Sequence, residues 1–201
     1  MRSTLKRRGA QVLQIASIVI AAFYLIFSTL ASGAAEVRYE PTPMDVVREM
    51  LLLADVRAGD VVYDLGCGDG RIVVAAARAG ARSVCVDIDP QRLAEARANA
   101  QAAGVSERIE FRNEDLRNTD FADATVVMLF LSAEMNRLLK EKLLCARPGL
   151  RVVSHWHAMP DWPPERSIRA MSEMGERPIF LWIVRNDTRD PRSRNGSKCA
   201  R

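Results

Sequence analysis

Apolar residues recur along the chain in two rhythms. Short apolar runs bounded by turn residues alternate with longer stretches in which apolar positions return every third or fourth residue, the mark of buried strands alternating with amphipathic helices. Val47, Met50, Leu51 and Ala54 repeat at helical spacing behind Pro41 and Pro43, so a helix precedes the first strand. Val61–Leu65 is that strand, and Arg71–Arg78, with its Val-Val-Ala-Ala-Ala run, is the helix that follows. Ser83–Asp87 predicts a second strand, Gln91–Ala103 an alanine-rich helix, and Arg108–Arg112 a third strand. Ala124–Leu131 is apolar almost throughout, as a central strand covered on both faces should be. Glu134–Ala146 is helical, Pro148-Gly149 turns the chain, and Leu150–Ser154 is the fifth strand.

This β-α-β-α-β order predicts an α/β fold built on a Rossmann-like, doubly wound, mostly parallel sheet with right-handed crossovers. The end of the chain breaks the pattern. Ser167–Ser172, then Met174-Gly175-Glu176, then Pro178–Val184 reads as strand, turn, strand, an antiparallel hairpin closing the sheet.

The amino-terminal segment obeys another rule. From Gly9 to Ala35 there is no charged residue, and Val12–Leu30 is strongly apolar. At about 1.5 Å per residue it is long enough for a bilayer core of roughly 30 Å. Two versions compete: a single N-terminal transmembrane helix, or a signal peptide whose small residues Ala31–Ala35 offer a cleavage site. The apolar span exceeds a usual signal core of about 7–15 residues, which favours the anchor. Arg2, Lys6, Arg7 and Arg8 ahead of it would hold that end in the cytoplasm and carry the domain across. The side of the membrane on which the domain works stays open.

Charge sharpens the division. The net charge of +4 is the balance of +4 in residues 1–10, +4 in residues 188–201 and −4 between them. The basic character belongs to the ends, and a nucleic-acid groove on the folded domain is not implied. The expected organisation is a basic end and membrane segment over 1–35, one domain over 36–187 and a basic, disordered tail over 188–201 containing a formal Asn195-Gly196-Ser197 glycosylation triplet. Cys67, Cys85, Cys145 and Cys199 show no metal-ligand spacing, so reduced packing cysteines are expected and no metal is.

The chemistry gathers where the first strand ends, at Asp64-Leu65-Gly66-Cys67-Gly68-Asp69-Gly70-Arg71. Alternate glycines let backbone N–H groups approach a ligand closely. A dinucleotide fingerprint in this register would need glycine where Arg71 stands. The acid-x-Gly-x-Gly-x-Gly pattern instead resembles the first motif of the class I, seven-stranded S-adenosylmethionine-dependent methyltransferases, whose fold also carries the antiparallel terminal hairpin. Open α/β sheets bind ligands at the carboxyl ends of their strands, and Asp64, Asp87 and Asp115 fall at three such ends.

A closer resemblance runs from Tyr39 to Val184. The Tyr-x-Pro-Thr-Pro entry, the glycine motif continuing to Ile72-Val73, Asp87-Ile88-Asp89-Pro90, Asp115-Leu116 and Arg151–His155 leading to Asp161-Trp162 are similar to the membrane-anchored protein-lysine methyltransferases. That family includes enzymes that modify ATP synthase subunit c and the adenine nucleotide translocase. The resemblance implies S-adenosylmethionine as cofactor, a membrane partner and a lysine of a protein as methyl acceptor. It places Gly66, Gly68 and Gly70 against the methionine and ribose, Asp87 on the ribose hydroxyls and Ile88 on the adenine. Asp115 or Glu114 faces the adenine amino group, Asp64 orients the loop or the ammonium, and Tyr39, Pro41 and Thr42 line the amino-acid end. The helix cap is the simpler role for Asp89.

After the fourth strand stands Phe130-Leu131-Ser132 where adenine-N6 and glutamine methyltransferases carry Asn-Pro-Pro-Tyr, which argues against both. His155 and His157 flank Trp156 and share a face if the strand continues, as a site-lining pair or an ordinary strand end. Asp161-Trp162 reads equally as an ammonium holder, by charge and cation–π contact, and as a plain loop. The rival functions are a methyltransferase for a lipid or quinone and a non-catalytic nucleotide-binding module.

Overall fold

The computed structural model describes residues 39–185, which lie in the second of two units, Tyr39–Arg201. The segment 12–30 expected to cross a membrane and the tail beyond 187 lie outside the described residues. No described helix is long and apolar enough to cross a membrane.

In chain order the elements are α1 (Met44–Leu53), β1 (Val61–Leu65), α2 (Arg71–Arg78), β2 (Arg82–Asp87), α3 (Pro90–Ala102), β3 (Ile109–Asn113), β4 (Val126–Leu129), α4 (Ala133–Leu144), β5 (Arg151–His155), β6 (Arg166–Ser172) and β7 (Gly175–Ile183). The described residues form a seven-stranded sheet in the order β3-β2-β1-β4-β5-β7-β6. β1 to β5 are parallel, while β7 runs antiparallel between β5 and β6. Every strand and helix expected between residues 44 and 184 is present, including the closing hairpin.

Alternation along the strands divides the core. Tyr63, Leu65, Val84, Val86, Val127, Leu129 and Val152 face Leu139 and Leu143 of α4 together with Trp182. Val62, Val126, Met128 and Val153 face α1 and α2 on the other side, where α3 packs beside α2. β4 is completely buried, which explains its unbroken apolar sequence. The strand is shorter than its apolar run because Thr125 turns its hydroxyl into bonds with Asp60 and the Val61 N–H, and Phe130 has already left the ladder.

At the amino ends of the central strands, Asp60 joins three segments. Its carboxylate accepts from the Thr125 hydroxyl at 2.7 Å and the Arg57 N–H at 3.0 Å, and it pairs with Arg151. Arg151 also donates to the Ala54 carbonyl at 2.6 Å, so the pair ties the end of α1 to β1 and β5. Burial works to raise the Asp60 pKa, but these donors outweigh it and hold the carboxyl below its ordinary value. The stability it contributes is therefore present above about pH 4 and lost as pH falls through its lowered pKa.

The Cys67–Cys85 pair corrects an expectation. The two are joined as a disulfide, with Cα atoms 5.3 Å apart, and neither is a reduced packing cysteine. The reason is the path of the chain after β1. The N–H groups of Gly66 and Cys67 both donate to the Val86 carbonyl, at 2.8 and 3.0 Å, so the loop folds back over β2 and lays Cys67 on Cys85.

Replacing Asp60 by alanine strands Arg151 in a half-buried position, and the expected loss is about 3 kcal/mol of unfolding free energy in a urea titration at pH 7. The carboxyl-end site lies at the opposite edge of the sheet and should keep its S-adenosylhomocysteine affinity within about twofold.

Candidate active site

The loop between β1 and α2 is built from left-handed residues: Gly66, Gly68 and Gly70 have φ of 84°, 54° and 76°. Two of these glycines are required by their neighbours. A Cβ on Gly68 would stand 2.4 Å from Cε2 of Tyr39, and one on Gly70 would stand 2.7 Å from the Cβ of Ala96 in α3. Gly70 thus serves helix packing, whereas Gly68 lets an aromatic ring lie directly on the loop. That ring is clamped from above by the Arg92 guanidinium, 4.0 Å from its centroid. Thr42 is buried and its carbonyl accepts Arg71 Nη1 at 2.8 Å, while Arg71 also chelates Asp69. The Tyr39–Thr42 entry and the glycine loop are therefore one structure.

Asp64 and Asp87 lie on the same face of the sheet, the one that carries α1, α2 and α3. Asp64 pairs in register with Cys85, and Asp87 is two residues further along the same strand. Asp87 braces two turns at once: Oδ2 accepts the Gly68 N–H and Oδ1 accepts the Asp89 N–H, both at 2.9 Å. A carboxylate oxygen has two acceptor positions, so each keeps one for a further donor. Asn113 fixes the same corner by donating to the carbonyls of Asp87 and Ile88. Ile88 beside it is 69% exposed, an apolar platform without a partner in the core.

Asp64 is 2% exposed, and burial, reinforced by Asp87 and Asp69, pushes its carboxyl up to about 8. Burial therefore favours its neutral form near pH 7 in the ligand-free protein. Because its folded pKa lies above its unfolded value, its contribution to stability is present at low pH and is lost as pH rises from about 4 to about 8.

At the end of β3 the acids divide. Asp115 chelates Arg117, which holds its carboxyl below the usual range, so its charge is engaged locally. Glu114 precedes it in the chain, and its Oε1 is buried without a hydrogen-bond partner. Asp89 is the amino-terminal cap of α3, accepting from the Gln91 N–H at 2.8 Å.

Two readings left open at the far strands are narrowed. His155 and His157 do not share a strand face, because β5 ends at His155 and the chain turns sharply at Trp156. Trp162 is a packing residue: its ring lies 5.8 Å from that of Trp182, whose Nε1–H donates to the Trp162 carbonyl at 2.7 Å. Sequence reasoning passed over Arg92, Asn113 and the Asp69–Arg71 pair. Asp69 and Arg71 stood in the glycine motif itself; nothing local marked the other two.

A model of the ANTKMT methyltransferase domain matches residues 64–166, from the buried acid of β1 to the start of β6. The chain belongs to this methyltransferase family. A protein-lysine N-methyltransferase of Saccharolobus islandicus is 40% identical over 156 residues, 76% of this chain and 97% of that protein. A mouse adenine nucleotide translocase lysine N-methyltransferase is 38% identical over 59% of this chain, which spans about half (52%) of that relative. Among solved structures, an RNA methyltransferase from Salinibacter ruber in complex with S-adenosyl-L-homocysteine superposes with a TM-score of 0.70 at 44% identity, covering 75% of this chain and 97% of that one.

The protein is an S-adenosylmethionine-dependent methyltransferase, and its residues fit that cofactor. Asp87 offers two open acceptor positions for a ribose diol, and Ile88 an exposed apolar surface for adenine. The unpartnered Glu114 oxygen is free to accept from an amino group. Asp64 is a buried acid able to ionise when a cation arrives.

Because Asp87 both braces the loop and supplies those acceptors, Asp87→Ala should weaken S-adenosylhomocysteine binding by at least about 30-fold in a calorimetric titration. Affinity within threefold of the parent would remove Asp87 from the site.

Proposed function

We propose that this methyltransferase modifies the side-chain amine of a lysine in a protein, and that it does so at a membrane to which residues 12–30 anchor it. The observation that carries the lysine reading is the likeness to the Saccharolobus protein-lysine methyltransferase, which covers 97% of that relative and 76% of this chain. The mouse relative, named for a lysine of the adenine nucleotide translocase, supports the same acceptor. The uncharged apolar run of residues 12–30, behind four cations, supports the membrane. An exported domain released from a signal peptide is the alternative arrangement of the same segment.

When bound, S-adenosylmethionine supplies a methyl group on a sulfonium, open to in-line displacement by an uncharged nitrogen. The chain's part is alignment and exclusion of water. Asp87 and Asn113 fix the corner after β2, Tyr39 closes over the glycine loop, and Asp64 places a negative charge beside the cation it holds. None of this requires a strong base: a lysine enters the pocket as the free amine because burial disfavours its charged form.

The Salinibacter structure is described as an RNA methyltransferase, which favours RNA as a second reading. Against it, the part of the chain between the basic ends carries a net −4, unsuited to a phosphate backbone. A lipid or quinone acceptor would share the membrane but not the likeness to lysine-modifying relatives.

Incubating the full-length protein and methyl-tritiated S-adenosylmethionine with fractions of a strain lacking the enzyme separates these readings. Label should enter protein of the membrane fraction, resist nuclease and solvent extraction, and be recovered as methyl-lysine after acid hydrolysis. Label removed by nuclease would establish RNA as the acceptor, and label extracted by solvent would establish a lipid.

A further inference from the structure

His155 is 1% exposed, yet neither ring nitrogen has a hydrogen-bond partner. A buried imidazole with both nitrogens unmet is uncommon, because each unmade bond costs stability. Phenylalanine or leucine would fill the same space at no such cost. A histidine kept there points to a ligand that completes it.

Its place in the fold says which ligand. His155 is the last residue of β5, paired with Ile179 of β7 and two residues beyond Val153, whose side chain faces α1. Phe130, the first residue past β4, has the same parity as Met128 and stacks on the imidazole, with centroids 4.1 Å apart and planes inclined by 36°. By the same alternation Asp64 and Asp87 lie on this face. The carboxyl edge of the sheet therefore runs from the ribose acid at β2, through the buried acid at β1, to the Phe130–His155 pair at β4 and β5. The acids that fit the cofactor make up the first half of that row, and the Phe130–His155 pair makes up the second.

The backbone beside His155 is strained. Trp156 has φ of +72°, and the His157 N–H donates to the His155 carbonyl at 2.9 Å, closing a γ-turn of the rare positive-φ kind. A bulky residue in that region is held there by its surroundings. Here the Trp156 N–H donates to the Pro178 carbonyl at 2.8 Å, and the Arg177 guanidinium lies 4.8 Å from the indole centroid. The turn swings the half-exposed indole out next to the buried imidazole.

We propose that His155 receives the acceptor amine: its unpaired ring nitrogen accepts one N–H of the incoming lysine once the side chain displaces the cover over the imidazole, beside the stacked Phe130 ring and the Trp156 indole. The inference rests on the lysine reading and names the residue that aims the nucleophile. The ammonium gives its proton to water before the side chain is enclosed. His155 then holds one of the two remaining N–H bonds and turns the nitrogen lone pair toward the methyl group. The C–N bond forms as the C–S bond breaks, the electron pair passing to sulfur, and the methylated ammonium leaves with its positive charge. Burial, with Arg177 and His157 nearby, pushes His155 down to about 4, so the ring stays an uncharged acceptor through the working range.

The test compares His155→Phe, which keeps the ring volume and the stack, with His155→Gln and His155→Asn, which restore an acceptor atom at two reaches. Each variant is assayed for S-adenosylhomocysteine affinity by calorimetry and for tritium transfer to membrane protein, scored as methyl-lysine. The proposal expects His155→Phe to bind S-adenosylhomocysteine within about threefold of the parent. Its methyl-lysine formation should fall by about 10–100-fold, with one of the amide variants recovering at least about fivefold. Methyl-lysine formation by His155→Phe within threefold of the parent would overturn it, as would a parallel loss of cofactor affinity or no recovery in either amide variant. A parent enzyme that binds the cofactor but forms no methyl-lysine sinks the lysine reading instead, a result distinct from all of these.

Discussion

The structure turns on one unfavourable burial: a carboxyl group, Asp64, set at the end of the central strand and almost wholly removed from water. An isolated buried carboxylate is costly, and the group responds by holding its proton well above the usual range. In the reading proposed here, the same burial makes Asp64 a selective partner for the cationic cofactor. Arg71, two turns of the loop away, is engaged by Asp69 and by the Thr42 carbonyl, so the protein does not neutralise Asp64 with it.

The surrounding features all serve to hold that edge of the sheet in place. Asp87 braces the glycine loop through Gly68 and the next turn through Asp89, and the Cys67–Cys85 disulfide fastens the same loop to the same strand. Tyr39 can lie on the loop only because Gly68 has no side chain, and Arg92 of α3 presses it there. At the opposite edge the Asp60–Arg151 pair joins β1, β5 and the end of α1. The sheet is thus tied at both ends, and the chemistry occupies the end whose ties leave acceptor atoms open.

Much of this could be read from the residues. The strands were legible because parallel strands buried on both faces must be apolar, and the acids at their ends stood out against those runs. The glycine spacing together with Arg71 distinguished the cofactor loop from a dinucleotide turn. What escaped depends on where the chain returns in space. The disulfide follows from a loop that doubles back onto the Val86 carbonyl, and the turn at Trp156 from a pairing with Pro178 more than twenty residues on. Asp115 fell at the expected strand end, but its charge goes to Arg117, while the adjacent Glu114 retains the unpaired oxygen. Spacing placed the acids; only packing shows which of them remains available.

We propose that Asp64 carries its proton in the free enzyme and gives it up to hold the cationic cofactor. Calorimetry of S-adenosylmethionine binding at about pH 6.5, repeated in buffers of different ionisation enthalpy, counts that proton directly. The parent protein should release close to one proton and Asp64→Asn none. Binding without proton release in the parent, or the same release in both, would contradict it.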